Sequence, residues 1–243
     1  MDENKTMKIA LIAIAKDEDN YINEWIDYNL KLGFDKIIIY MNDWDYVITN
    51  DKVITIPFNG KAMQMPAYNH FVQNNIEYDW AAFFDIDEFL VLKKHKNIHD
   101  FINDYKDYNG IAINWYLFGD NNLPKVFDNN YNVLSRFTRR ESKLNHHIKS
   151  ILKLDKTVTF HHPHNANKTT VSTDYKLING PFNHNGNDDI AQINHYFCKT
   201  KEEYIKKRNR GRSDTGTYRN MSEFDTHNKN EVTDLTAYNF YYD

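Results

Sequence analysis

The stretch from Trp80 to Leu92, WAAFFDIDEFLVL, places three carboxylates between two short apolar runs. The first run, 80–84, is short, aromatic and apolar on both faces, which predicts a buried strand of an α/β sheet. Asp85, Asp87 and Glu88 follow at the point where that strand should end. Ligands bind at the carboxyl ends of strands in open α/β sheets, so this stretch predicts a polar site at a sheet edge.

Asp85 and Asp87 are two residues apart, so in an extended chain their side chains point the same way. Two oxygen donors side by side suit a divalent cation such as Mg²⁺ or Mn²⁺. The alternative is a polar turn after a core strand, with solvated acids. The apolar runs on both sides favour the cation site, because charges wedged into a core need a partner.

Composition narrows the class of protein. The 243 residues are 41% hydrophobic and 15% aromatic, which is typical of a globular chain rather than a disordered one. The net charge of −4 argues against a general nucleic-acid binder, which would be basic. We therefore expect no nucleic acid among the partners.

The expected compartment is the cytoplasm. Cys198 is the only cysteine, so no internal disulfide can form and a reducing compartment fits. The apolar run 9–15 is too short for a signal peptide, and no run approaches the roughly 20 apolar residues of a membrane span. Peripheral membrane association and oligomeric state stay open.

Strands and helices alternate in the first half of the chain. The patterns predict strands at 7–15, 36–41, 53–56 and 80–84, and helices at 19–32 and 62–75. Gly33 stands where the C-terminal cap of the first helix belongs. This alternation predicts a mostly parallel sheet with right-handed crossovers.

The second half is less regular. The patterns predict helices at 98–108 and 200–212, and strands at 110–117, 133–139, 149–154, 158–160 and 191–197. Residues 121–132 and 161–189 are expected to be loops or irregular structure. We divide the chain into a domain at 1–212 and a polar tail at 213–243, which is a lid, a docked terminus or a disordered one.

Polar side chains follow each predicted strand of the first half. Asp17 and Glu18 follow the first strand, Asn42 and Asp43 the second, and Asp85 to Glu88 a later one. Because the carboxyl ends of parallel strands meet at one edge, these side chains predict a nucleotide cleft. The sequence contains neither GxxxxGK[ST] nor GxGxxG, so a bound diphosphate would need a cation rather than a glycine-rich helix start.

The histidines allow two interpretations. HHPH at 161–164 and the pair His146 and His147 could hold zinc, although structural zinc usually takes cysteine with histidine, and a polar loop is the alternative. His195 differs, because it lies in a predicted strand before a helix rich in cations. An imidazole with cations nearby suits a metal-bound diphosphate, whereas an ordinary charged surface helix is the alternative. The cations concerned are Lys199, Lys206, Lys207, Arg208 and Arg210.

FFDIDEFLVL, with its D-x-D motif inside hydrophobic strands, resembles the signature of GT-A glycosyltransferases. The chain is also similar to the family 2-like and family 92-like bacterial and eukaryotic transferases in an ordered set of segments. These segments are KDE at 16–18, YINEWIDYNLKLGFDKIIIYMND, NWYLFGDN, LSRF and INHYFCKTKEEYIKKRNRG. The matches run in order across about residues 7 to 212, which makes them far more specific than D-x-D alone.

The resemblance implies a GT-A (Rossmann-like) fold, a nucleotide-sugar donor and Mn²⁺ or Mg²⁺. Asp85, Asp87 and His195 would hold the cation, with Asp85 also near the ribose. The base and ribose would lie against Asp17, Glu18, Asn42 and Asp43. The diphosphate would contact Lys199 and the segment from Arg208 to Arg212, and the sugar or acceptor side would be lined by Trp115, Phe118, Gly119 and Asp120. The group commonly has Ser where this chain has Asp120.

The expected reaction is an inverting transfer of a sugar, with uracil as the implied base, to a hydroxyl of a glycan or glycolipid acceptor. A cation neutralises charge on the leaving diphosphate, and a carboxylate acts as general base. Glu88, Asp120, Asp188 and Asp189 are the candidates for that base. Synthesis of a bacterial surface polysaccharide is expected by family analogy. Two alternatives are a metal-dependent hydrolase built on His161 to His164 and a non-catalytic carbohydrate-binding module.

Overall fold

A mixed sheet of ten strands forms the centre of the computed structural model, which describes residues 6–75 and 77–243. The strands of the described residues are, in chain order, β1 (Ile9–Ala15), β2 (Lys36–Met41), β3 (Val53–Pro57), β4 (Trp80–Phe83), β5 (Glu88–Leu92), β6 (Gly110–Leu117), β7 (Arg139–Arg140), β8 (Ile148–Lys153), β9 (Phe160–His162), β10 (Asn165–Ala166), β11 (Thr170–Ser172), β12 (Leu177–Ile178), β13 (Ala191–His195) and β14 (Val232–Thr233). The helices are α1 (Ile22–Leu32), α2 (Gln64–Asn74), α3 (Ile98–Asn103), α4 (Val133–Arg136), α5 (Lys201–Arg210), α6 (Met221–His227) and α7 (Thr236–Tyr242).

The first half of the sheet is parallel. Strands β4, β1, β2 and β3 lie side by side in that order, and every residue of β1 is buried. The pairing of Ala15 with Met41 makes β1 and β2 end at the same level. The polar residues that follow these strands therefore meet at one edge, as the sequence predicts.

The second half makes the sheet mixed. Strand β8 lies between β4 and β6 and is antiparallel to both, while β13 pairs parallel with β6 and antiparallel with β5. The predicted α/β class is confirmed. The expectation of a mostly parallel sheet holds for β1 to β4, whereas parallel and antiparallel pairs are mixed among the remaining strands.

Helix α1 is fixed to the sheet by two buried hydrogen bonds. Trp25 Nε1 donates to the Glu88 carbonyl at 2.9 Å, and the Tyr28 hydroxyl donates to the Leu90 carbonyl at 2.7 Å. The helix ends at Gly33, which has a φ of 102° and so takes the left-handed conformation that glycine favours. These contacts hold β5, directly after the D-x-D stretch, against the helix.

Three predictions for the second half differ from the structure. Residues 161–189, expected to be irregular, include β10, β11 and β12, and the last two belong to the central sheet. The strand predicted at 133–139 is wrong, since 133–136 form the short helix α4 and Arg139 lies in β7. The buried Glu24 carboxylate favours this helix by accepting hydrogen bonds from its first amides, Val133 N at 2.5 Å and Leu134 N at 3.3 Å. The helix predicted at 98–108 ends at Asn103 and continues as turns. The helix cap provided by Glu24 comes from a distant part of the chain, so no local pattern predicts it.

The segment 213–243 is docked on the domain. Asp120 N and Asn121 N donate to the side-chain oxygens of Asn228 and Asn230, each at 2.8 Å. Strand β14 pairs with β7, and Phe240 of α7 packs against Tyr28 with ring centroids 5.1 Å apart. No helix within residues 6–75 and 77–243 is long and apolar enough to cross a bilayer.

Gly119 provides a test of this docking. A Cβ atom at Gly119 would lie 2.5 Å from both Asn230 Oδ1 and the Lys229 carbonyl. We expect Gly119→Ala to lower the free energy of unfolding by about 1–3 kcal/mol, because a methyl group must push the docked segment away. Urea unfolding measures the change. Ser222→Ala, at an exposed position of α6, is the control and should stay within about 0.5 kcal/mol of the parent. Equal stability of both variants would contradict this docking.

Candidate active site

A cavity of about 360 Å³ opens at the carboxyl edge of β1, β2 and β4. Side chains of β6, β13 and α5 also line it, together with the loop 211–219. This is the edge at which open α/β sheets bind ligands.

Half of the residues predicted for the site line this cavity. Those that do are Glu18, Asn42, Asp43, Asp85, Asp87, Trp115, His195, Arg210 and Arg212. Those that lie outside its lining are Asp17, Glu88, Phe118, Gly119, Asp120, Asp188, Asp189, Lys199 and Arg208. The sequence thus correctly predicts which strand ends border the cavity, whereas all four predicted bases lie outside the cavity lining.

The four predicted bases have structural contacts instead. Asp188 pairs with Lys93 at 2.6 Å, and Asp189 accepts from the Asn187 side chain at 3.0 Å. Asp120 accepts from Asn230 Nδ2 at 3.0 Å, and the buried Glu88 accepts from Asp85 N at 2.9 Å.

Asp85 is held by groups from two other elements. Its Oδ1 accepts from Gln64 Nε2 at 2.6 Å, and its Oδ2 lies 3.0 Å from the Lys149 ammonium. Lys149 is fully buried and also lies 3.2 Å from Glu88. Burial opposes the charge of Lys149, but Asp85 and Glu88 together raise its pKa, so the ammonium is retained. Burial raises the pKa of Glu88 well above its usual range.

Asp87 joins β13 and α5. Its Oδ2 lies 2.5 Å from the Lys207 ammonium, and its Oδ1 lies 3.5 Å from His195 Nε2. Backbone pairing sets this geometry, because His195 is opposite Glu88 in the β5–β13 ladder and Tyr196 N donates to the Asp87 carbonyl. Burial works against ionisation of Asp87, yet Lys207 and His195 lower its pKa well below the usual range. Burial lowers the pKa of Lys207 to about 8.

The pair of Asp87 and His195 suits a cation chemically. A carboxylate and an imidazole are donors that Mn²⁺ accepts, and His195 Nδ1 is buried without a partner among the described residues. The oxygens of Asp85 are engaged by Gln64 and Lys149, just as Asp87 is engaged by Lys207. No group of three or more His, Cys, Asp or Glu residues in the described part of the chain is arranged to hold a metal ion. Of the three ligands expected from the sequence, Asp87 and His195 are the two that contact each other, at 3.5 Å.

The opposite wall of the cavity is cationic. Arg210 pairs with Glu18, and Arg212 pairs with Glu223 at 2.6 Å. Arg219 has no ion-pair partner among the described residues, and its buried Nε donates to no protein atom there. Burial and the neighbouring Arg210 and Arg212 lower the pKa of Arg219. The charge of Asp87 works in the opposite direction and raises that pKa, and Arg219 Nη1 donates to the Gly211 carbonyl at 3.1 Å. A half-buried guanidinium next to two further arginines suits an anion in the cavity.

Of the cations expected on α5, Lys207 and Arg210 line the cavity, because they are three apart and so share a helix face, whereas Lys206 and Arg208 do not. Sequence reasoning missed Gln64 and Arg219 of the cavity lining and the buried Lys149 that pairs with Asp85. These three residues carry no local signal, since each comes from an element far away in the chain.

The predicted zinc cluster is not formed in the described residues. His161 is exposed, and His162 and His164 lie with their ring centroids 4.9 Å apart, packed as rings. His164 also contacts Trp115, with centroids 4.8 Å apart. These contacts are packing contacts rather than convergence on a common metal position.

A family model for glycosyltransferase family 92 matches residues 61–231, which is well over half of the chain. The chain belongs to glycosyltransferase family 92. The match spans Asp85, Asp87, His195 and Arg219, so the cavity lies largely within the family domain. No curated protein matches the chain. The predicted resemblance to family 92 is confirmed, and so is the prediction of a transferase, which implies a sugar donor and an acceptor.

Helix α5 of this family 92 domain is fixed at its start. Thr200 and Glu203 form a capping box, and Glu203 also binds Arg136 through two hydrogen bonds of 2.9 Å and 2.8 Å. Burial opposes ionisation of Glu203, but Arg136 lowers its pKa to about 2. This anchor sets the position of Lys207 and Arg210 one and two turns further along.

The lowered pKa of Glu203 predicts an acid-sensitive anchor. The ionised Glu203 contributes to the free energy of unfolding in full above the usual pKa of 4.5, and this contribution is lost as the pH falls from there toward about 2. Between about pH 6 and pH 3, we expect the parent protein to lose about 2 kcal/mol more stability than Glu203→Gln. Urea unfolding at a series of pH values measures this difference. Glu202→Gln, at an exposed position of the same turn, is the control, and its free energy of unfolding should change with pH as that of the parent does. If the free energy of unfolding of Glu203→Gln also changes with pH as in the parent, Glu203 does not act as this anchor.

Proposed function

We propose that this family 92 protein transfers a sugar from a UDP-sugar donor to a hydroxyl of a glycan or glycolipid acceptor, with inversion and with the help of Mn²⁺ or Mg²⁺. The observation that carries the proposal is the cavity itself, which brings Asp85 and Asp87, after the end of β4, together with the cations Lys207, Arg210, Arg212 and Arg219. The GT-A type of fold is part of the proposal, supported by the parallel strands β1 to β4 and the site at their ends.

The nucleoside is proposed to lie at the ends of β1 and β2. Asn42 is fixed there, because its Nδ2 donates to the carbonyls of Phe58 at 3.1 Å and Gly60 at 2.8 Å. Its side-chain oxygen is left for a ligand, and Asp43 beside it offers a carboxylate for hydroxyl donors. Glu18 is held in place by Arg210.

The diphosphate is proposed to lie against Arg219 and Lys207. Cleavage of the bond between sugar and phosphate leaves negative charge on the diphosphate, and fixed cations in a dry site stabilise that charge. Arg212 lies on the same wall, where Glu223 positions it. Lys207 would then contact the diphosphate and also neutralise Asp87.

Asp87 and His195 are the residues proposed to hold the divalent cation. When bound, Mn²⁺ or Mg²⁺ would supply a positive charge that neutralises the leaving diphosphate. His195 is set for this role by the β5–β13 ladder, and Asp87 by its ionised state.

Asp214 is proposed as the general base that takes the proton of the acceptor hydroxyl. It lines the cavity, and no ion pair with a described residue neutralises it. Its charge also raises the pKa of His162 against the opposing effect of burial, which places Asp214 beside the histidine-rich wall. The other lining carboxylates are neutralised by a cation each.

The proposed setting is synthesis of a bacterial surface polysaccharide in the cytoplasm. Analogy with related transferases supports it, since the cavity chemistry alone is compatible with many acceptors.

The donor site is tested by calorimetric titration of UDP, GDP and CMP, each with and without Mn²⁺. We expect UDP to bind in the presence of Mn²⁺, and Asp87→Asn to weaken that binding at least about 10-fold and to lower turnover about 100-fold or more. Asn keeps the volume of Asp87 and can still accept a hydrogen bond from Lys207, so the fold should be retained.

Asp155→Asn is the matched control, because Asp155 also pairs with a lysine, Lys168 at 2.8 Å, but lies away from the cavity. It should bind UDP like the parent. Failure of all three nucleotides to bind the parent under both conditions would refute the proposed donor site.

The proposed base is tested by Asp214→Asn. Loss of a general base should lower kcat about 100-fold or more while UDP affinity stays at the parent value. Turnover with a UDP-sugar and calorimetric titration of UDP separate the two effects. Asp225→Asn, at an exposed position of α6, is the control. If Asp214→Asn has the same kcat as this control, another residue is the general base.

A further inference from the structure

A row of rings runs from the cavity to the protein surface across four neighbouring backbone segments. The rings are His195, Trp115, His147 and Phe182, with successive centroids 4.3 Å, 5.0 Å and 5.0 Å apart. Strand β13 pairs with β6, Trp115 N donates to the His147 carbonyl, and His147 forms a bridge with Phe182. The sheet therefore fixes the row from its backbone.

The outer end of the row is exposed. Phe182 is 42% exposed, and it contacts the exposed ring of His146 with centroids 5.2 Å apart. His146 stacks in turn on the exposed His184, at 4.9 Å and an interplanar angle of 15°. We call the six rings from His195 to His184 the aromatic row.

We propose that the aromatic row is the acceptor subsite, and that it binds an uncharged glycan whose sugar rings stack on the exposed ring faces. This inference rests on the proposed function, because it assigns the second substrate of the same reaction. The family resemblance implies roles for Trp115 and His195 only, whereas His146, His147, Phe182 and His184 are assigned from the structure.

The inner end of the row begins at the reaction centre. Trp115 and His195 line the cavity, and His195 lies 3.5 Å from Asp87. Trp115 is 7% exposed, and its Nε1 has no hydrogen-bond partner among the described residues. The indole N–H is thus covered from solvent, and a ligand in the cavity would meet the small exposed part of the Trp115 ring.

The chemistry of the row distinguishes the acceptor from the donor. The donor wall is lined by arginines, whereas the aromatic row carries no carboxylate, lysine or arginine among its members. Burial lowers the pKa of His147 to about 4, so that ring is uncharged at neutral pH. Exposed aromatic faces with polar ring atoms suit the apolar faces and the hydroxyls of a neutral sugar.

The row is also long enough for more than one sugar ring. Neighbouring strands are about 4.8 Å apart, so four segments span roughly 15 Å. An acceptor of at least two sugar residues would thus contact both Trp115 and Phe182.

Saturation-transfer NMR on the full chain tests the subsite directly. The probes are lactose, maltose, cellobiose and chitobiose as neutral disaccharides and sialyllactose as an anionic one, each in the presence of UDP and Mn²⁺. We expect at least one neutral disaccharide to receive saturation, and Phe182→Ala and His184→Ala to weaken its apparent affinity about fivefold each. Phe127→Ala is the matched control, since Phe127 is 50% exposed but lies outside the row, and it should bind like the parent.

Three results would overturn the inference. They are no saturation of any neutral disaccharide, saturation of sialyllactose alone, and equal binding by Phe182→Ala, His184→Ala and Phe127→Ala. Calorimetric titration of UDP on the same samples separates this inference from the proposed function. If UDP binds but no disaccharide does, the subsite alone is refuted. If a disaccharide binds but UDP does not, the donor site is refuted.

Discussion

Pairing of the carboxylates at the strand ends with cations from distant parts of the chain is the constraint on which the cavity depends. Asp85 pairs with Lys149 of β8, Asp87 with Lys207 of α5, and Glu18 with Arg210. Removing one partner of a buried pair typically costs about 3–5 kcal/mol, because the other charge is left uncompensated. The acids at the strand ends can therefore be tolerated only when β8 and α5 are in place, which links the geometry of the cavity to the fold of the whole domain.

Local pattern was enough to predict the strands whose ends border the cavity. The apolar runs of β1, β2 and β4 are continuous and end at charged residues, and Gly33 marks the end of α1, so their bounds follow from neighbouring residues. The same reasoning predicted that Asp43, Asp85 and Asp87 would meet at one edge, because parallel strands end together. Family 92 membership agrees with the motifs from which it was predicted.

The rest of the fold depends on contacts between residues that are far apart in the sequence, so no short stretch of the chain predicts them. Glu24 turns 133–136 into a helix from more than a hundred residues away, and β8 joins the sheet antiparallel because its partners on both sides are already fixed. Arg219 and Asp214 lie in a polar segment without periodicity, so their position in the cavity follows only from the docking of that segment. The four candidate bases lie outside the cavity lining for the same reason, since acidity alone does not show which carboxylates the fold brings to the cavity.

The distance along the chain between Asp87 and Lys207, which is 120 residues, has a consequence for how the protein is made. A nascent chain that has completed β4 and β5 has no ammonium for Asp87 until α5 has left the ribosome. Domains with such long-range contacts close late and slowly, and their unfinished sheets are prone to aggregate. The exposed edge of β4, which later receives β8, should be the part of the growing chain that most needs a chaperone.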